Sequence, residues 1–151
     1  MRHSRFISSA PLIAGLLTGL LFAILFVPLN AADSDSRYDL SKEVTLSVTV
    51  SIVLHRPAPG MIWGSHLMVE TVSGRLDASL GRFGLEGAGA LSVTPGQQIE
   101  LTGAMKTVRD KEVFMVRSVK ANGKTYTMRN EHGVDVSPLA RERAAEKGVT
   151  L

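Results

Sequence analysis

The residues best equipped for chemistry are histidine and methionine, and one pair is closely spaced: His66 and Met68 in "GSHLMVE". On a β-strand, residues two apart share a face. Imidazole and thioether ligands suit copper, and a chain with no cysteine has no thiolate to offer instead. The wider donor set is His55, His66 and His132 with Met61, Met68, Met105, Met115 and Met128. These donors are spread over several predicted strands and form no dense cluster, and Met is a common core filler. The expectation is core packing with no cofactor, and a copper site on His66 and Met68 is the alternative.

A second constellation joins the only Trp, Trp63, to the pair Arg82 and Phe83. An indole and a guanidinium beside an aromatic ring provide stacking and charge for a ligand. With His66 they make the candidate ligand-binding set: Trp63, His66, Arg82, Phe83. In small β-barrels such residues on strands two and three carry oligosaccharide or single-stranded nucleic acid. The competing expectation is that Trp63 plugs one end of a barrel and Phe83 packs beneath a glycine loop.

Other signatures fail on spacing. "NGKT" resembles the end of a phosphate-binding loop, but Ser118 stands where the first glycine is needed. Gly84, Gly87 and Gly89 miss the dinucleotide-binding spacing because Ser92 occupies the last position. "GSH" lacks the second glycine of a nucleophile elbow. No paired acid–base set is recognisable, so a non-enzymatic protein is expected.

The elements that must position these residues begin with an address. "MRHSRF" carries Arg2 and Arg5, and no charge follows until Asp33. Basic, then apolar, then small residues is the order of an export signal, with cleavage after Ala31 or Ala32. The same run also approaches the roughly 20 residues that span a bilayer, so an uncleaved anchor touching the membrane through residues 6–29 is the second reading. Residues 1–32 are thus a signal peptide or membrane anchor, expected as a hydrophobic helix, and the domain is periplasmic or otherwise extracytoplasmic, with possible anchoring in the inner membrane. The formal charge of +3 falls to +1 without Arg2 and Arg5. The remaining basic residues are interleaved with acidic ones, so no nucleic acid is expected as a partner.

Beyond a linker at 33–42, the dominant period is two. "EVTLSVTVSIVL" places Val44, Leu46, Val48, Val50, Ile52 and Leu54 on one face. "HRPAPG" ends that strand, since Pro57 and Pro59 cannot donate to a ladder. "MIWGSHLMVETV" reads as a second strand with a bulge at Gly64, and "RLDASL" returns as a third. "GRFGLEGAGALSV" reads as a loop. "QIELTGAMK" and "EVFMVRSV" are further strands, and Asn122-Gly123 marks a tight hairpin into "TYTM". The fold expected is all-β, a small OB-fold-like barrel of five to six strands over residues 43–134, closed or partly open, since closure removes the exposed edges such a sheet would have. The charged tail at 135–151 is expected as either a short helix or a disordered segment.

The runs "EVTLSVTVSIVL", "WGSHLMVETVSGRLDASLGRF", "LSVTPGQQIELTG" and "VRSVKANGKTYTMRNEHGV" resemble a group of small exported bacterial proteins with an OB-fold-like barrel. In that group a "G-x-HL" strand, an "HLGP"-like segment, an "L-x-PGD-x-V-x-VTG" strand and an "LRDEDG" element recur. Here Gln97 and Gln98 replace the acidic residue, "LGRF" stands for "LGP", and "MRNEHG" for "LRDEDG". The resemblance spans Glu43 to Val134 and implies fold and export. It implies no activity, and only His66 falls on a recurring position. The expected function is a binding or protein-interaction module of the cell envelope, with an envelope protein as partner.

Overall fold

The computed structural model describes residues 38–149. The predicted leader helix and residues 33–37 of the linker lie outside them. Six strands form one sheet: β1 (Val44–Leu54), β2 (Ser65–Thr71), β3 (Gly74–Gly81), β4 (Gln98–Val108), β5 (Lys111–Ala121) and β6 (Lys124–Thr127). Neighbours run β3-β2-β1-β4-β5-β6, and a parallel pairing of β3 with β5 closes the first five into a barrel. That closing seam is short, joining Ala78 to Phe114 and Ser79 to Met115. A 3-10 turn at Leu40–Lys42 precedes the barrel, and one helix, α1 (Pro138–Lys147), follows it. No helix among the described residues is long and apolar enough to cross a membrane.

Alternation along the strands builds the interior. Val48, Val50, Leu67, Val69, Ala78, Leu80, Leu101, Phe114, Val116 and Val119 are all buried in one core. Phe114, with no exposed surface, is the largest fully buried side chain of that core. The expected single apolar face of β1 is interrupted. Val50 pairs with Val69, but Ile52 pairs with Met68, leaving Ser51 as an extra residue. Its hydroxyl donates to the Met68 carbonyl at 2.8 Å. A one-residue bulge exchanges the two faces of the strand. Ile52 accordingly turns outward, and Val53 packs against the core in its place.

The second strand also starts later than its composition implies. Residues 61–64 are irregular, and β2 begins at Ser65. Gly64 is the cause: its φ is 122°, and a Cβ there would lie 2.7 Å from the Gly81 carbonyl carbon. Only glycine allows the chain to cross the end of β3 so closely. The bulge itself sits one step on, between Ser65 and His66.

Two hairpins use left-handed residues. Asn122 and Gly123 have φ of 52° and 72°, matching the Asn-Gly signal. At the β4–β5 turn the same geometry is imposed on Arg109 and Asp110, with φ of 51° and 61°. Neither has the freedom of glycine, and left-handed backbone costs such residues about 1 kcal/mol or more each. Replacing Arg109-Asp110 by Asn-Gly is expected to raise stability by roughly 0.5–1 kcal/mol. Urea unfolding followed by circular dichroism checks this, and a lower midpoint would contradict it.

The glycine-rich segment between β3 and β4 caps one end of the barrel. Leu91 is buried, and Leu85 and Val93 pack beneath it. Helix α1 fastens this segment from outside. Ser137 caps the helix by accepting from the Ala140 N–H at 3.2 Å. The Arg141 guanidinium donates to the carbonyls of Phe83 at 2.6 Å and Ala88 at 3.2 Å. The packed unit thus extends past Val134 to include the buried Val136 and Ala144.

Tyr38 and Glu43 anchor the start of the domain. The Tyr38 hydroxyl donates to Glu43 Oε1 at 2.6 Å, and Arg117 Nη2 donates to Glu43 Oε2 at 2.8 Å. Arg117 Nε also donates to Oε1, completing a two-pronged pair. Hydrogen bonding from Arg117, opposed by desolvation, holds the Glu43 carboxyl below its ordinary value of 4.5. Burial, and then the bond to Glu43, push the Tyr38 hydroxyl up. A carboxyl depressed in the folded state stabilises it fully above the unfolded value, and that contribution is lost as the pH falls through the folded one. Glu43→Gln is therefore expected to cost roughly 1–2 kcal/mol at neutral pH. Wild type and variant should converge below pH 4.5. A gap that stays constant down to acid pH would contradict this.

Candidate functional site

The antiparallel β2–β3 pairing sets Ser65 opposite Gly81, so the residues just before β2 meet those just after β3. This brings Trp63 to Arg82 and Phe83 in one open groove of about 510 Å³, with Ile62, Met115 and Val134 as its apolar surfaces. Arg129, Gly133 and Asp135 complete the lining. Trp63 is 75% exposed, so it does not plug the barrel. Phe83 is half-buried and is covered by the Arg82 guanidinium, 5.3 Å from the ring centroid. Among the described residues the Arg82 side chain has no carboxylate partner, because Asp135 is engaged elsewhere. Asp135 Oδ2 accepts from the Arg82 backbone N–H at 2.8 Å, and Oδ1 pairs with Arg129 Nε at 3.2 Å.

His66 does not line this groove. It has no exposed surface, although it alternates with the inward-facing Leu67 and so lies on the outer wall of the barrel. The loop between β1 and β2 folds back to roof it. His66 Nε2 is 3.0 Å from the Ile62 carbonyl, and Nδ1 is 2.6 Å from Asp77 Oδ1. A carbonyl oxygen only accepts, so Nε2 is the donor to Ile62, while Nδ1 is bonded to the Asp77 carboxyl. Neither nitrogen keeps a free lone pair for a metal. The ring acts as a clamp that fixes Ile62, the residue before Trp63. Met68, half-buried beside Ile52 and Asp77, shares the outer wall with His66 as expected from their spacing. His55 is exposed on the β1–β2 loop, and His132 lies 3.5 Å from Glu131 in the exposed turn after β6. Among the described residues no group of three or more His, Asp or Glu is arranged to hold a metal ion.

The residue that sequence reasoning missed is Arg129, only 3% exposed. Its Nη1 donates to the carbonyls of Ser79 at 2.8 Å and Val116 at 2.7 Å, and Nη2 donates to Ser79 Oγ at 3.0 Å. Ser79 and Val116 stand where the short β3–β5 ladder ends. The guanidinium therefore continues the seam that the backbone leaves unpaired. Burial lowers its pKa, with the Asp135 charge acting the other way; a guanidinium remains protonated in proteins nonetheless. No local pattern in the sequence marks this arginine as interior. The turn that follows is held by Asn130, whose Oδ1 accepts from the N–H groups of His132 and Val134, both at 3.0 Å. It displays Val134 at the groove rim, 61% exposed.

A larger open groove of about 620 Å³ runs between the β2–β3 and β5–β6 hairpin tips. Its carboxylates Glu70 and Glu100 are paired with Arg75 and Lys120, and it has no aromatic surface. The smaller groove holds the aromatic side chains and the Arg82 guanidinium. What the fold and site define is a closed five-stranded barrel with an open, aromatic-rimmed groove at one end of β2 and β3. No family model, curated protein or solved structure matches this chain.

Proposed function

We propose that this chain is a non-enzymatic, extracytoplasmic binding module built on an OB-type barrel, and that it engages an envelope protein through the groove around Trp63. The observation that carries this reading is the placement of Trp63. A 75%-exposed indole contributes little to the core, yet Gly64 and the His66–Ile62 clamp hold its backbone in a single position. Exposed tryptophan in a pocketed surface is the commonest energetic anchor of protein interfaces. The strand order and the parallel β3–β5 closure support the OB-type assignment. The outer face of β2 and β3, along which such barrels carry nucleic acid or glycan, is roofed here by the β1–β2 loop. Copper binding through His66 has less support, because both ring nitrogens are engaged.

Trp63→Ala is expected to leave stability within about 0.5 kcal/mol, as for other exposed positions, while abolishing partner binding. A photo-crosslinking residue at Val134 in cells should form an adduct that Trp63→Ala removes, and the same group at Thr125 on β6 should not. Equal adducts at both positions, or an adduct indifferent to Trp63→Ala, would sink the proposal.

A further inference from the structure

Resting on that reading, we infer that the groove takes a peptide segment in which a carboxylate side chain is flanked by a bulky apolar one, and that Arg82 is its charge-recognising residue. Three features select this occupant. The open groove is lined by the apolar side chains of Ile62, Phe83 and Met115, which give an apolar side chain of a peptide a surface to pack on. One cation is unanswered: Arg129 is consumed by Asp135 and two carbonyls, whereas Arg82 has no carboxylate among the described residues. That cation is also held in place, its backbone N–H fixed by Asp135 and its guanidinium resting on Phe83. A guanidinium pre-oriented beside apolar surface loses little freedom when it meets a carboxylate and forms a charge-assisted hydrogen bond there. A single cation is too little for a nucleic-acid backbone or an anionic membrane, both of which are held by clusters of basic residues.

The probe is the peptide acetyl-Gly-Phe-Glu-Phe-Gly-amide, with its Gln analogue as the uncharged control, titrated against the full chain while Trp63 emission is followed. Trp63 is the only tryptophan, so the signal comes from the groove itself. The Glu peptide should shift the emission and bind about tenfold more tightly than the Gln peptide, the scale of one charge-assisted hydrogen bond. In Arg82→Gln, with unchanged circular dichroism, the two peptides should bind alike. The inference fails if wild type does not distinguish them, if the preference survives Arg82→Gln, or if no peptide moves the signal. It also fails if vesicles of phosphatidylglycerol and phosphatidylcholine shift Trp63 and the peptides do not. A Trp63-dependent adduct at Val134 alongside any of these results would leave the protein-binding role standing and reject only the acidic-peptide specificity.

Discussion

Arg129→Met is expected to remove about 3–5 kcal/mol of stability, the cost of breaking a buried charged network from one side. Single domains are stable by only about 5–15 kcal/mol in all, so the variant should be marginally folded or unfolded. Met approximates the length of the lost side chain but donates nothing. The Ser79 and Val116 carbonyls then lose their charged donor inside the barrel wall, and Asp135 loses its cation. Each buried group left without a partner is penalised by its full desolvation. Arg129→Lys should rescue little, since one ammonium cannot reproduce a planar fork that reaches two strands and a hydroxyl. The measurement is urea unfolding followed by circular dichroism, because an already solvated Trp63 is a poor reporter of unfolding. A loss below about 1 kcal/mol for Arg129→Met, the scale of one ordinary hydrogen bond, would show that the seam does not depend on this side chain.

His66→Ala ranks second, at roughly 2–4 kcal/mol. Part is the cavity left by a fully buried ring, and part is the unpaired Ile62 carbonyl and Asp77 carboxylate. Asp77→Asn separates the clamp from a generic charge effect. With Nε2 still protonated, Nδ1 can accept from an asparagine N–H, so that variant should lose no more than about 1 kcal/mol. The order His66→Ala much worse than Asp77→Asn is the prediction, read from the same unfolding curves. A metal-site role makes a different forecast: His66→Ala would then lower bound copper in the purified protein without a comparable loss of stability.

Much of the barrel is legible in the sequence because β-structure writes its period locally. Leu46 to Val50 alternate as they read, although Val44 at the strand's start is exposed, and Asn122-Gly123 announces its hairpin. The exceptions have physical reasons. Ser51 reverses the face of β1 with no local mark, since a bulge is decided by the neighbouring strand and a serine serves as well there as in a ladder. Arg109-Asp110 hides a turn because arginine does not favour left-handed backbone and a lone aspartate without a following glycine is a weak hairpin signal. Trp63, Arg82 and Phe83 converge because a hairpin necessarily brings the start of β2 to the end of β3. Arg129, Val134 and Asp135 come from beyond the last strand, and nothing in "MRNEHGVD" indicates that its arginine is interior. His66 reads either as a packed histidine or as a ligand until the β1–β2 loop closes over it and engages both ring nitrogens.

The position of Arg129 in the chain also bears on how the fold is reached. It follows all six strands, so a polypeptide emerging from its N-terminus completes every hairpin before the pin for the β3–β5 seam exists. Closure of that seam joins residues far apart in sequence, the kind of contact that forms late because its loop entropy must first be overcome. Until Arg129 is in place, the seam rests on two β3–β5 backbone pairings alone, so the last turn of the domain decides when the barrel locks.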